Sequence, residues 1–278
     1  MIEQPIGVFD SGIGGLTVVS QIRKYCPGEE IVYFGDTARV PYGTKSANVI
    51  RQFSVENTRF LLKSEPKLIV IACHTASCLA GDYLRRKFPG LTFLDVVRPS
   101  IEKALAVTRS GRIGLIGTPA TINSGHYQRL LSSRNRSVHI FAKACPLFVP
   151  LVEEGWTSNS ISKKIAAVYL NDFKKQKIDT LILACTHYPL LKKVIGRVLG
   201  KKVELVDASE EVAWQVKEYL RGRKILKENG ARKIRLYFSD CHAHLKSIIP
   251  AFLHGERITI REAAFPAQAG RGKLCTRL

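Results

Sequence analysis

Short apolar runs alternate along the chain with longer stretches in which apolar residues recur at helical spacing. The runs are "IGVFD" (6–10), "EIVYFGD" (30–36), "KLIVIAC" (67–73), "TFLDVV" (92–97), "RIGLIGT" (112–118), "VHIFAKAC" (138–145), "TLILAC" (180–185) and "KVELVD" (202–207). Each has strand length. Near-continuous runs such as "LIVIA" fit strands buried on both faces. Between them, "GLTVVSQIRKY" (15–25) and "SANVIRQFSVENTRFLLKS" (46–64) read as amphipathic helices, with Val49, Phe53, Phe60 and Leu61 on one face. Strand, helix, strand in this rhythm predicts an α/β fold with mostly parallel sheets.

The pattern repeats. "IGVFDSG" begins at Ile6 and "IGLIGTP" at Ile113, while the Ala-Cys step of "LIVIACHTASC" (68–78) returns in "LILACTHYP" (181–189). The first landmarks lie 107 residues apart and Cys73 and Cys185 lie 112 apart. Nearly equal offsets predict two pseudo-symmetric α/β domains facing across a cleft. The boundaries this implies are 1–97 plus 208–278 for the first and 98–207 for the second. Residues 208–278 read as a helical and mixed segment returning to the first domain, with a poorly ordered end in "REAAFPAQAGRGKLCTRL" (261–278).

The chain has 278 residues, 45% hydrophobic, enough for two modest cores. No apolar stretch reaches the roughly 20 residues needed to cross a bilayer. The opening "MIEQPIGVFDSG" lacks the basic flank of a signal peptide, so a cytoplasmic location is expected. Seven cysteines, an odd number in no framework spacing, read as free thiols. The net charge of +20 admits a nucleic-acid partner, an anionic substrate or mere surface solvation. "RGRK" (221–224) and "RKIRLYF" (232–238) are basic, yet no basic-aromatic recognition module accompanies them, which argues against nucleic acid as the main partner.

In an open α/β sheet, ligands bind beyond the carboxyl ends of the strands. Cys73 and Cys185 both end strands in this reading, each followed by Thr and then by a helix. A helix N-terminus lowers a thiol's pKa. A lone strand-end cysteine is ordinarily a small core residue; two at repeated positions, with His74 and His187 close by, point to chemistry. "FDSGIGGLTV" (9–18) offers Asp10 and Ser11 before a glycine turn but lacks a nucleotide fingerprint. Asp10 reads as a proton or ammonium partner, or as a helix N-cap. "GTPAT" (117–121) supplies the hydroxyls of Thr118 and Thr121, and "CPLFVPLVEEGW" (145–156) carries Glu153 and Glu154. "SDCHAHLK" (239–246) matches no common zinc spacing, so no metal is expected. Two thiols across a small substrate could be a redox pair, although C-x-x-C is absent, or an acid/base pair. An acid/base pair inverts a stereocentre by removing a proton on one face and returning one on the other. That would explain why the step appears twice.

Six stretches in order, "IGVFDSGIGGLTV", "YFGDTARVPYG", "VIACHTAS", "GLIGTPAT", "ACPLFVPLVEEG" and "LILACTHYPLL", resemble the cofactor-independent aspartate/glutamate racemase family, and within it the glutamate racemases. The resemblance covers roughly residues 5 to 255. It implies interconversion of L- and D-glutamate without pyridoxal phosphate or metal, supplying D-glutamate for peptidoglycan, in a homodimer. Cys73 and Cys185 would be the two bases. Asp10 would assist Cys73, and His187 with Glu153 would assist Cys185. Asp10, Ser11, Tyr42, Gly43, His74, Thr75, Thr118, Thr186 and His187 would hold the substrate. Aspartate as substrate, or a weakened racemase with a basic binding surface, remains the alternative. The family usually has Asn where this chain has His74. A cationic imidazole there would strengthen carboxylate binding and depress the Cys73 pKa, or would crowd the site.

Overall fold

The computed structural model describes residues 4–230, 233–241, 245, 249–253, 256, 258–263 and 274–277. The first half builds β1 (Ile6–Asp10), α1 (Leu16–Tyr25), β2 (Ile31–Gly35), α2 (Ala47–Leu62), β3 (Leu68–Ile71), α3 (His74–Lys87) and β4 (Phe93–Asp95). The next stretch adds α4 (Val97–Val107), β5 (Arg112–Gly117), α5 (Pro119–Asn123), α6 (His126–Arg134), β6 (His139–Ala144), α7 (Phe148–Glu153) and α8 (Ser160–Lys175). Then come β7 (Thr180–Ala184), α9 (Lys192–Leu199), β8 (Glu204–Val206), α10 (Ala208–Gly222), β9 (Ile234–Phe238), β10 (Ile258–Glu262) and β11 (Leu274–Arg277).

Two sheets form. One has the order β11-β10-β9-β2-β1-β3-β4 and the other β6-β5-β7-β8. The run β2-β1-β3-β4 has the same internal order as β6-β5-β7-β8, so the sequence repeat is a repeat of topology. All pairings are parallel except that of β10 with β11. Alternation along each strand divides the side chains between cores. Leu68, Val70 and Ala72 pack with α1 and α10 residues on one face; Ile69, Ile71 and Cys73 pack with α2 and α3 residues on the other. In the second sheet Leu181, Leu183 and Cys185 share one core, and Ile182 and Ala184 another. The two cysteines therefore leave equivalent strands at equivalent phase.

The segment after 222 departs from the sequence reading. It contributes three strands to the first sheet, where a helical and mixed segment was expected. β9 pairs with β2 and β10 with β9. In β9 the signal was Ile234, Leu236 and Phe238, buried alternately between Arg235 and Tyr237. The basic character of that stretch masked its period of two: Arg235 Nε pairs with Glu30 at 2.8 Å at the sheet margin. β11 pairs with β10, so the expected disorder of the chain's end does not hold at 274–277. Residues 264–273 and 278, the rest of that tail, lie outside the described residues, as do His242 and His244.

A buried ion pair ties this segment down. Glu29 is fully buried; its carboxylate accepts Lys67 Nζ at 2.9 and 2.8 Å and the Lys227 N–H at 2.7 Å. Lys67 Nζ also donates to the Ile225 carbonyl at 2.8 Å. Removing one partner of a buried pair strands the other charge. Lys67→Met is expected to cost about 3 kcal/mol in urea unfolding, whereas Lys163→Met on an exposed helix face stays within about 0.5 kcal/mol of the parent. Equal midpoints for the two variants would show that the tie carries no stability.

Candidate active site

The carboxyl ends of both sheets open on one cavity of about 360 Å³. Its wall includes Ser11, Tyr42, Gly43, Cys73, His74, Thr75, Thr118, Glu153, Cys185, Thr186 and His187. Each of these was singled out from sequence. Val40, Pro41, Pro119, Pro146, Val149 and Pro150 complete it with an apolar surface that sequence reasoning missed. The prolines of "YFGDTARVPYG", "GTPAT" and "ACPLFVP" are its trace in the sequence.

Asp10 stands behind this wall rather than on it. It is fully buried, and its Oδ2 accepts the N–H groups of Gly12 and Gly15 at 3.1 and 3.0 Å. The sequence reading puts Asp10 on the substrate; here it is not among the residues that line the cavity. Burial raises its pKa, opposed by the charge of His187 and by the turn's amides. The turn itself meets the second half directly: a β carbon on Gly14 would lie 2.4 Å from Thr186 Oγ1 and 2.7 Å from His187 Nδ1. Only glycine allows that approach. Thr186 Oγ1 reaches Asp10 Oδ1 at 3.5 Å.

Cys73 caps α3. Its sulfur accepts the Ala76 N–H at 3.5 Å and lies 3.6 Å from Ser11 Oγ. The helix amide and Ser11 favour the thiolate, as expected from sequence, but burial and the charge of Asp10 outweigh them and push the thiol up to about 12. The expectation of a lowered pKa is thus reversed. Cys185 sits differently. No long helix begins at once after it; a 3-10 turn (Tyr188–Leu191) precedes α9. Its neighbour is His187, with Nδ1 3.8 Å from the sulfur and Nε2 3.4 Å from Glu153 Oε1. Burial opposes charge on His187, but pairing with Cys185 and Glu153 prevails and lifts it to about 10. One thiol is thus protonated and buried, and the other faces an imidazolium.

His74 is also buried. Its Nδ1 is 2.7 Å from Tyr127 Oη, which donates to Ser100 Oγ at 3.3 Å. Burial lowers its pKa to about 4, which favours the neutral imidazole near pH 7 over the cationic one of the two alternatives. Three threonine hydroxyls cluster beside it, with Thr75 and Thr118 on the wall and Thr121 buried behind them: Thr75 Oγ1 lies 2.9 Å from Thr118 Oγ1 and 3.1 Å from Thr121 Oγ1, which are 2.9 Å apart. Gly43 abuts the same group, its missing β carbon only 2.5 Å from Thr118 Cβ. Among the described residues, no cluster of three or more His, Cys, Asp or Glu is placed to hold a metal ion. No described helix is long and apolar enough to cross a membrane.

Comparison with known proteins gives this cleft a context. A protein named glutamate racemase from Geobacter metallireducens is 45% identical over 264 residues, covering 95% of this chain and 97% of the relative. The crystal structure of glutamate racemase from Francisella tularensis in complex with D-glutamate superposes with a TM-score of 0.90 at 35% identity, covering 96% of this chain and all of that one. The glutamate racemase of Thermus thermophilus, in complex with beta-chloro-D-alanine, gives 0.83 at 41% identity over 94% of this chain and 97% of that one. Residues 6–216, which carry both Ala-Cys steps and the strands β1 to β8, match the Asp/Glu/Hydantoin racemase family. The chain belongs to that family and is an amino-acid racemase.

Proposed function

We propose that the protein interconverts L- and D-glutamate with Cys73 and Cys185 as the two acid/base groups. The observation that carries this reading is the pair of thiols at equivalent strand ends on the wall of one cavity. Glutamate is the substrate named for the relatives, and a structure of one of them holds D-glutamate. The proposal includes a cytoplasmic site of action, D-glutamate destined for peptidoglycan, and domains of 1–97 plus 208–278 and 98–207. It also includes a homodimer, supported by the exposed apolar side chains of Leu147, Trp156 and Ile161 around α7 and α8.

The charges distribute the work. His187, held charged by Cys185 and Glu153, has its Nδ1 3.8 Å from the Cys185 sulfur, the group that takes the α-proton from one face of the substrate. Glu153 holds that cation in place from its other nitrogen. Cys73, held as a thiol by burial and Asp10, delivers a proton to the opposite face. One proton leaves the substrate to Cys185 and a different one arrives from Cys73, so the reverse reaction starts with the roles exchanged. For another turn in the same direction Cys73 must regain a proton and Cys185 must lose one, and the raised pKa of Asp10 makes its carboxyl group a competent proton partner behind the turn. Hydroxyls of Ser11, Thr75, Thr118 and Thr186 surround the cavity as donors for substrate carboxylates, and the apolar prolines keep the α-carbon out of bulk water.

In heavy water without added cofactor, L- or D-glutamate is expected to lose optical activity while its α-proton is replaced by deuterium. Cys73→Ser and Cys185→Ser should each lower kcat by at least about 1,000-fold; activity surviving both single changes would end the two-base reading. The pH dependence has a sign. His187 has its charge below about pH 10, so kcat/KM should fall as pH rises through that value, and His187→Asn should abolish the alkaline limb. His74 acts on stability in the other direction. The unfolded chain takes up its proton below about 6.5 and the folded chain only near 4, so stability is lost as pH falls between those values. Urea unfolding at pH 7 and 4.5 should therefore differ less for His74→Asn than for the parent.

A further inference from the structure

The segment 37–44 lines the cleft without belonging to either regular lattice. It consists of two 3-10 turns, Thr37–Arg39 and Tyr42–Thr44. Tyr42 and Gly43 face the cavity, opposite Thr118. Something must fix so short a loop to the accuracy that a substrate contact demands.

Asp36, at the end of β2, is fully buried and converges three side chains on its carboxylate. Arg39 Nε donates to both oxygens at 3.0 and 2.8 Å, Ser239 Oγ donates to Oδ1 at 2.9 Å, and the Tyr42 hydroxyl donates to Oδ2. Burial and the neighbouring carboxylate hold the Tyr42 phenol well above its usual pKa, so it remains a donor. Asn57 joins the group from α2, donating to Tyr42 Oη at 3.1 Å and accepting from Arg39 at 3.2 Å. Arg39 also pairs with Glu56 and lies 4.0 Å over the Phe53 ring.

The second anchor comes from the far end of the chain. Beyond β9, Ser239 Oγ accepts the Ala38 N–H at 2.9 Å, Thr37 Oγ1 donates to the Asp240 carbonyl at 2.7 Å, and the Asp240 N–H returns to Thr37 Oγ1 at 2.9 Å. These bonds span about 200 positions of sequence and none of their side chains lines the cavity. We infer that Asp36 is a positioning residue for substrate, setting the Tyr42–Gly43 wall of the cleft, and that Ser239 and Asp240 make this wall dependent on the carboxyl-terminal strands. The inference rests on the reading of glutamate as substrate.

A positioning role affects binding more than proton transfer, because neither thiol touches this network. Asp36→Asn keeps the volume but removes the charge facing Arg39; Tyr42→Phe removes one donor; Ser239→Ala loosens the loop from outside the site. Racemisation of glutamate is measured for the parent and all three, with circular-dichroism spectra verifying the fold. The expected result is a KM raised about tenfold in Asp36→Asn and about threefold in the other two, with kcat within threefold of the parent and the alkaline limb unmoved. An inactive parent would remove the glutamate reading together with this inference. An active parent whose Ser239→Ala and Tyr42→Phe variants keep its KM, or lose kcat alone, would overturn the positioning role and leave the two-base chemistry standing. If Asp36→Asn fails to fold, those two variants decide the matter.

Discussion

The architecture of the site depends on how closely two sheet ends can be brought together. At Gly14 the limit is reached: the 12–15 turn has no room for a β carbon against Thr186 and His187. That contact carries electrostatic consequences. It puts the buried carboxylate of Asp10 within the field of the His187 cation, so each stabilises a charge that burial alone would disfavour. A larger side chain would part the halves and weaken both. The same logic recurs where Gly43 meets Thr118. Two glycines thus permit the close approach of the two halves.

From equivalent strands the chain builds two inequivalent thiols. Cys73 is followed immediately by α3 and has a carboxylate behind it; Cys185 is followed by a turn that brings His187 alongside. Topological symmetry places the sulfurs, and the local sequence after each strand gives each its own neighbours: Ser11 and the Ala76 amide for Cys73, His187 for Cys185.

Much of this was legible before any coordinates. Apolar runs marked the strands from β1 to β8; they are continuous in β1, β2, β3 and β7, where burial on both faces leaves no room for polar residues, and broken in the edge strands β6 and β8, which are partly exposed. Every wall residue with a functional group except Thr44 was legible from short motifs at strand ends and in the loop after β2. What escaped was whatever depends on distance through space. Nothing near "FDSGIGG" says that Asp10 lies behind its own turn. Nothing after Cys73 says that desolvation will outweigh a helix amide. Nothing in "ACHTAS" says that His74 will be buried against Tyr127, which comes from α6 some fifty positions later. β9 escaped for a different reason: Arg235 finds Glu30 at the sheet margin, so a charged residue sits in a strand at little electrostatic penalty.

The threonines of the cleft wall have a property that single hydroxyls lack. Thr75, Thr118 and Thr121 form a closed triangle in which each oxygen can give or receive. Rotating three O–H bonds reverses the direction of donation around the ring while every heavy atom stays still. While the ring is closed each hydroxyl proton is used inside it and lone pairs are left to face outward; turning one O–H away opens one link and offers a proton instead. Such a cluster changes its hydrogen-bonding character by rotating single O–H bonds while its heavy atoms stay still.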